Sequence, residues 1–552
     1  MKLTSVRPLP AFVFAILSFT LFSLPALAST PTITTISPNS GPDTMSPYPV
    51  IKGTNFETGV QVYVGGTIAR GAWLGGSTYI SFEPPLTTVL GPVSVEVVNP
   101  DGGTVTLANG FTYTSSGDTF PRLAYFATGT PQTYDSTYQA DAAKVHLAVL
   151  GGSYEGWGST LGYDKQAVIS SIKAQTKVGT RVFQYVDLNE MTFLQSNSGF
   201  STYWTAVTNN NWWVYNSGTS GTKTPDAQDS TNTKGLVNMA TYTVDPTTGL
   251  GPYAWGANYV NNLFHLGTYT GKGDATPDLD GFFLDNVLPQ PVEAGDWLRS
   301  GSSQLATNPT VGTAFRTGEK TFFTEMASIW PTGIQLANMA IAPNTASYSP
   351  LTGAMQGGMD EAAIGANWSY ESWSGAATMQ SVYKNTYDNT GGPQYMLFGH
   401  SHLQTNGVDA VTYDSNGNAL TYSPTWQGMR YGIAACLMGN GYYAATSTVS
   451  YAEVFLWFDE FDNAGAGVGY LGQAIDPWQT VPWSNGVWKR AYQNGIVLWN
   501  PKGNGQQTVS LSGLGNLKHI TGSQDTTVNN GAIVTNGTVT LNDRDGLILL
   551  HY

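Results

Sequence analysis

Residues 280–286, Asp280-Gly281-Phe282-Phe283-Leu284-Asp285-Asn286, decide how this chain folds. An apolar core flanked by acids predicts a short buried strand, anchored by Phe282 and Leu284, that delivers the Asp285 carboxylate from a rigid support beside the amide of Asn286. If the strand is one of eight in a (β/α)8 barrel, its C-terminal end faces the common active site, where a polar residue serves chemistry more often than packing. The competing reading is that Asp285 caps the following turn.

Outward from this stretch, apolar runs alternate with helix-like segments. Strands are expected at 123–126, 146–150, 181–186, 281–284, 334–336, 354–356, 395–398 and 452–458, with amphipathic helices at 164–177, 311–330, 376–387 and 426–437. That rhythm over residues 117–484 predicts a (β/α)8 TIM barrel. Residues 485–552 return to β, with an apolar run at 495–501 and Asn-Gly turns at 530–531 and 536–537, and predict a C-terminal antiparallel β-sandwich.

Ahead of the barrel, residues 29–116 carry short β-rich runs between turn residues: "ISPNSGP" (36–42), "IKGTNF" (51–56), "VYVGG" (62–66), "VSVEVVNPDGG" (93–103) and "GFTYT" (110–114). In this order they resemble an IPT/TIG domain. The resemblance implies an immunoglobulin-like β-sandwich that acts as a spacer or contacts a cell surface or glycan. Residues 1–28 have the form of a signal peptide, with Lys2 and Arg7 before an apolar stretch and Ala26-Leu27-Ala28 as the cleavage site. A secreted or periplasmic protein follows, and with no later run of spanning length, no membrane insertion is expected.

Composition narrows the function. One Cys in 552 residues rules out an intramolecular disulfide, and Cys436, in an apolar stretch, is expected to be a packing residue. Net charge is −14 for the whole chain, a surface that repels nucleic acids. Aromatics at 12% exceed charged residues at 11%, a balance that suits stacking on sugar faces.

Cleaving a glycosidic bond takes two carboxyl groups, about 5–5.5 Å apart for retention or about 6.5–9.5 Å apart when water attacks directly. Asp285 is the first candidate, as nucleophile or base. Glu361, in Gly357-Gly358-Met359-Asp360-Glu361 after the expected sixth strand, is the second, as general acid; Asp360 would point the opposite way on an extended segment. Asp187 and Glu190, beyond the strand at 181–186, are expected to bind sugar hydroxyls or cap their loop, and Asn286 to contact substrate. Glu371 is the rival acid, and its neighbours Trp368 and Trp373 are stacking candidates with Trp157, Trp212, Trp213 and Trp255. Asp459 is expected at the mouth, in contact with substrate, if 452–458 is a strand, or else in a structural salt bridge. His400 could bond a sugar or stabilise the loop after the seventh strand; with His402 it lacks the companions of a metal site, and neither metal nor organic cofactor is expected.

The stretches "RVFQYVDLNE" (181–190), "DLDGFFLDNV" (278–287), "GGMDEAAIG" (357–365) and "NGIVLWNP" (494–501) resemble glycosyl hydrolase-like barrel proteins over residues 122–552. "DGFFLDNV" is similar to a strand of endo-α-1,4-polygalactosaminidases in which the second Asp, here Asp285, is implicated in catalysis. The resemblance implies a secreted glycoside hydrolase acting on a poly- or oligosaccharide. The alternative is a non-catalytic carbohydrate-binding or adhesion protein on the same scaffold.

Overall fold

The computed structural model describes residues 30–42, 49–69, 71–85, 91–114, 118–127, 134–151, 162–194, 200–215, 222–223, 233–238, 243–268, 275–287, 309–339, 351, 354–365, 369–389, 395–401, 403, 412–413, 419–420, 426–446 and 455–552. The expected signal peptide, Trp157, Trp368, His402 and Glu453 lie outside these residues. Glu371 and Trp373 fall in a helix whose side chains there are likewise outside the description. Two compact units divide after Ser115.

The first unit is a β-sandwich. One sheet orders Thr32–Ser37, Val50–Thr54, Tyr79–Glu83 and Gly71–Leu74; the other orders Ser40–Pro42, Thr104–Thr114, Gly91–Val98, Gln61–Val64 and Thr67–Ile68. Period-two burial along Tyr79–Glu83 hides Ile80 and Phe82, which meet Ile51, Val62, Val95, Val97 and Phe111 in the shared core.

The second unit is built on a closed barrel of eight parallel strands: β1 (Leu123–Ala127), β2 (Leu147–Leu150), β3 (Arg181–Val186), β4 (Gly281–Leu284), β5 (Ile334–Asn338), β6 (Gly357–Ile364), β7 (Tyr395–His400) and β8 (Tyr442–Ala445). Closure pairs Leu123 of β1 with Tyr443 of β8. Phe126, Val149, Phe183, Phe283, Leu336, Met359 and Leu397 fill the interior. Their parity fixes every other side chain, because alternate residues of a strand face opposite sides. Tyr185, Asn338 and Glu361 share the interior parity of Phe183, Leu336 and Met359, and Asp285 that of Phe283.

Two expected strands are corrected. The sixth is not 354–356 but Gly357–Ile364, so Glu361 lies inside β6 rather than beyond it. Its glycines looked like a loop, yet a Cβ on Gly357 would lie 2.2 Å from the Tyr395 carbonyl oxygen, so close strand approach demands glycine there. The eighth is Tyr442–Ala445, not 452–458. Residues 455–458 are irregular and lead into the short helix Asp459–Asp462.

Among the helices around the barrel are Lys165–Gln175, Pro252–Val260, Pro309–Ile329 and Gln427–Leu437. The last is buried along its whole length because a four-stranded antiparallel sheet, Trp488–Tyr492, Gly495–Asn500, Asp545–His551 and Leu517–His519, packs on it. Gly546 allows the approach, since a Cβ there would meet the Arg430 carbonyl oxygen at 2.2 Å. Arg430 reaches across to Asp525 and to Asp545, whose Oδ1 lies 3.1 Å from Nη2. No helix among the described residues is long and apolar enough to cross a membrane.

Candidate active site

The C-terminal ends of β3 to β6 bring four polar side chains together. Asp285 directly follows β4, and its backbone N–H donates to the Val186 carbonyl at 2.8 Å, continuing the ladder that holds it. Asn338, the last residue of β5, donates from Nδ2 to Asp285 Oδ1 at 2.8 Å and to Glu361 Oε2 at 2.9 Å. Two oxygens on one amide nitrogen, whose hydrogens diverge by about 120°, lie roughly 5 Å apart. The Tyr185 hydroxyl donates to Asp285 Oδ2, and the Asn286 N–H donates to Oδ1 at 2.9 Å. Tyr185, Asp285 and Glu361 are half-buried, whereas Asn338 is buried.

The electrostatics oppose one another. Burial pushes the Asp285 pKa above the ordinary carboxylate value; the bonds from Tyr185, Asn338 and Asn286 pull it back toward ionisation. Burial, with the charge of Asp285 nearby, also holds the Tyr185 phenol well above its usual range, so it remains a donor at neutral pH.

Asp187 borders this group. Its Oδ1 accepts the N–H groups of Asn189 at 2.9 Å and Glu190 at 3.3 Å, and its Oδ2 accepts from Asn286 Nδ2 at 3.1 Å. Asp187 therefore caps its loop and also ties that loop to the residue after Asp285. Burial and the charges of Glu190 and Asp285 raise its pKa well above the ordinary value. Glu190 heads the ribbon strand Glu190–Thr192, which pairs with Lys234–Leu236, and forms an ion pair with Lys234.

Three expectations about the site are corrected. His400 has the outward parity of Met396 and Phe398; its Nδ1 lies 2.6 Å from the Tyr443 hydroxyl, and a Cβ on Gly432 would strike it, so it packs under the helix layer away from the lumen. Asp459 begins a helix instead of ending a strand, and its Oδ2 accepts the N–H groups of Ser523 and Gln524, both at 2.7 Å, fastening the C-terminal sheets. Trp212 and Trp213 are fully buried, and Trp255 lies half-buried against Tyr203 and Tyr259, so the first two fill the core of the excursion between β3 and β4 rather than stack on a ligand.

Sequence reasoning missed Tyr185 and Asn338. Each lies inside a largely apolar stretch, Tyr185 before Val186 and Asn338 between Ala337 and Met339, and looks like part of the core; the usable signal was parity with Phe183 and Leu336 toward the barrel axis. Among the described residues no three His, Cys, Asp or Glu side chains converge as a metal site. Cys436 is buried beside the Tyr383 hydroxyl, its thiol pushed up to about 12 by burial.

The IPT/TIG domain family model matches residues 31–113. Among solved structures, the chain is similar to Eubacterium rectale Amy13B at 10% identity, covering 78% of this chain and 95% of that one, with a TM-score of 0.43. The maltogenic amylase from S. marinus is also 10% identical, over 94% of this chain and 82% of that one, with a TM-score of 0.45. A GH36 alpha-galactosidase from Geobacillus stearothermophilus is 10% identical over 95% and 72%, with a TM-score of 0.37. No curated protein matches the chain.

Proposed function

We propose that the barrel is a retaining glycoside hydrolase of an exported protein, with Asp285 as nucleophile and Glu361 as acid and then base, acting on a poly- or oligosaccharide. The observation that carries this reading is the shared Asn338 amide, which brings carboxylate oxygens of Asp285 and Glu361 within roughly 5 Å, the spacing of a double displacement and too close for an intervening water. Asp285 Oδ1 is occupied by two N–H donors, so Oδ2, which has the Tyr185 hydroxyl as its one donor, is the attacking atom.

In the first step Oδ2 attacks the anomeric carbon, the glycosidic bond breaks and the Glu361 proton passes to the departing oxygen. In the second, Glu361 takes a proton from water, the hydroxide displaces Asp285, and the sugar leaves with its original configuration. The Tyr185, Asn338 and Asn286 donors stabilise the carboxylate as it departs.

The test is hydrolysis by the full chain of a panel of aryl glycosides and neutral or cationic polysaccharides, with the first-formed anomer followed by NMR. Retention, lost in Asp285→Asn and Glu361→Gln variants that still fold, is expected. First release of the inverted anomer would overturn the double displacement. Binding of a glycan with no turnover, unchanged in both variants, would favour the non-catalytic alternative.

A further inference from the structure

We propose that Tyr253 and Asn189 are positioning residues for Asp285, acting through the left-handed backbone of Asn286. The inference rests on the reading of Asp285 as nucleophile. Asn286 has φ +58°, a left-handed conformation that asparagine tolerates better than other non-glycine residues but that still favours contacts holding it there. The peptide N–H that enters Asn286 lies on Oδ1 of Asp285, and the Asn286 side chain reaches Asp187.

The N–H groups of Asp285 and Val287 fasten the backbone on either side, to the carbonyls of Val186 and Asn338, and Asn189 holds the Asn286 carbonyl itself, its Nδ2 donating to that oxygen at 2.6 Å. An amide side chain can present either end, and a partner must choose. Tyr253 chooses: its hydroxyl donates to Asn189 Oδ1 at 3.0 Å, leaving only the amino end to face Asn286. Tyr253 belongs to the helix Pro252–Val260, is buried, and lies edge-on to Phe322 of the helix Pro309–Ile329, so its ring is fixed by packing rather than by the site. The excursion between β3 and β4 thus reaches the nucleophile through one hydroxyl, one amide and one backbone turn.

Removing the Tyr253 hydroxyl frees the Asn189 amide to rotate and releases the Asn286 carbonyl, and the peptide between Asp285 and Asn286 is expected to shift so that its N–H withdraws from Oδ1. Because that N–H favours the charged carboxylate, its loss raises the pKa of Asp285 further. Tyr253→Phe is expected to lower kcat about tenfold with KM within about twofold, and to move the acid limb of kcat/KM to higher pH. Asn189→Asp, which still accepts from Tyr253 but cannot donate to Asn286, is expected to shift the limb in the same direction. In an Asn286→Gly background, where glycine takes positive φ unaided, the Tyr253→Phe change is expected to cost little.

A crystal structure of Tyr253→Phe supplies a readout independent of any substrate, with Asn286 expected to leave positive φ. A variant that keeps Asn286 at its present φ and Asp285 in place overturns the inference. So does a normal kcat and acid limb in Tyr253→Phe, or an equal loss with and without Asn286→Gly. Wild-type turnover in Asp285→Asn would instead overturn the reading beneath it.

Discussion

The hydroxyl of Tyr185, one residue short of the end of β3, donates to Oδ2 of Asp285, one residue past the end of β4. The register that pairs Val186 with Leu284 brings the two together from adjacent strands. Tyr185→Phe removes one donor to the charged carboxylate while keeping the ring that stacks near Phe283. Burial already raises the Asp285 pKa and Tyr185 opposes that rise, so the variant's pKa moves up. A nucleophile must be ionised, and the acid limb of kcat/KM should therefore shift to higher pH, with a loss of about tenfold on its acid side. An unshifted profile would mean that Tyr185 does not bond the ionised form.

Asp360 offers a test separate from catalysis. It points outward from β6, opposite to Glu361, and burial without a partner for Oδ2 raises its pKa to about 8. Folded Asp360 keeps its proton while the unfolded chain ionises near pH 4, so its contribution to stability is complete below about pH 4 and is lost as pH rises toward 8. Asp360→Asn is neutral at every pH and should raise the stability, and with it the melting temperature, at pH 8 by about 5 kcal/mol, while changing it little at pH 4. Calorimetry of both forms across that range measures the difference. A constant offset at all pH values would sink the assignment.

Arg430 joins the barrel's last helix to the C-terminal sheets through Asp525 and Asp545. Arg430→Met should destabilise the second unit by about 3–5 kcal/mol, because both carboxylates lose a buried partner. Burial already raises the Asp545 pKa and Arg430 counteracts it, so in the variant the folded pKa climbs further. The penalty should then grow between pH 5 and pH 8, read as a widening gap in denaturant midpoint. An equal midpoint at pH 8 would show that the sheets dock without this pair.

Much of the site was legible where one local rule sufficed. Phe282 and Leu284 announced β4, and a carboxylate at its end needed nothing else to be noticed. β8 was missed because Tyr442-Tyr443-Ala444-Ala445 is short and follows a buried helix directly, while the longer apolar run at 452–458 drew the assignment away. Asn338 and Tyr185 were hidden for a different reason. Their meaning comes from which neighbours the barrel closes against them, a relation between strands that no single stretch contains. His400 and Asp459 were misjudged in the same way: the parity of one and the helical start of the other depend on register and on the docking of the final sheets.

Gly399 of β7 sets how close Glu361 can come. A Cβ on Gly399 would fall 2.0 Å from the Glu361 carbonyl oxygen and 2.8 Å from that of Asp360, both backbone atoms that no rotamer change can clear. β6 carries a register irregularity against β7 between Asp360 and Ile364, so this segment can shift without unpairing the strands on either side. Gly399→Ala should therefore push the Glu361 segment away from β7 rather than unfold the barrel. Glu361 would then part from the Asn338 amide, which spans only 2.9 Å. A displacement of about 1 Å at a catalytic group costs on the order of a hundredfold in rate. The expected outcome is a folded variant with kcat reduced to that extent, and with the acid limb set by Asp285 unmoved, since the donors on Asp285 are untouched. Circular dichroism would check the fold and the pH profile the limb. A fully active Gly399→Ala would show that the Glu361 carboxyl does not depend on the close approach of these two strands.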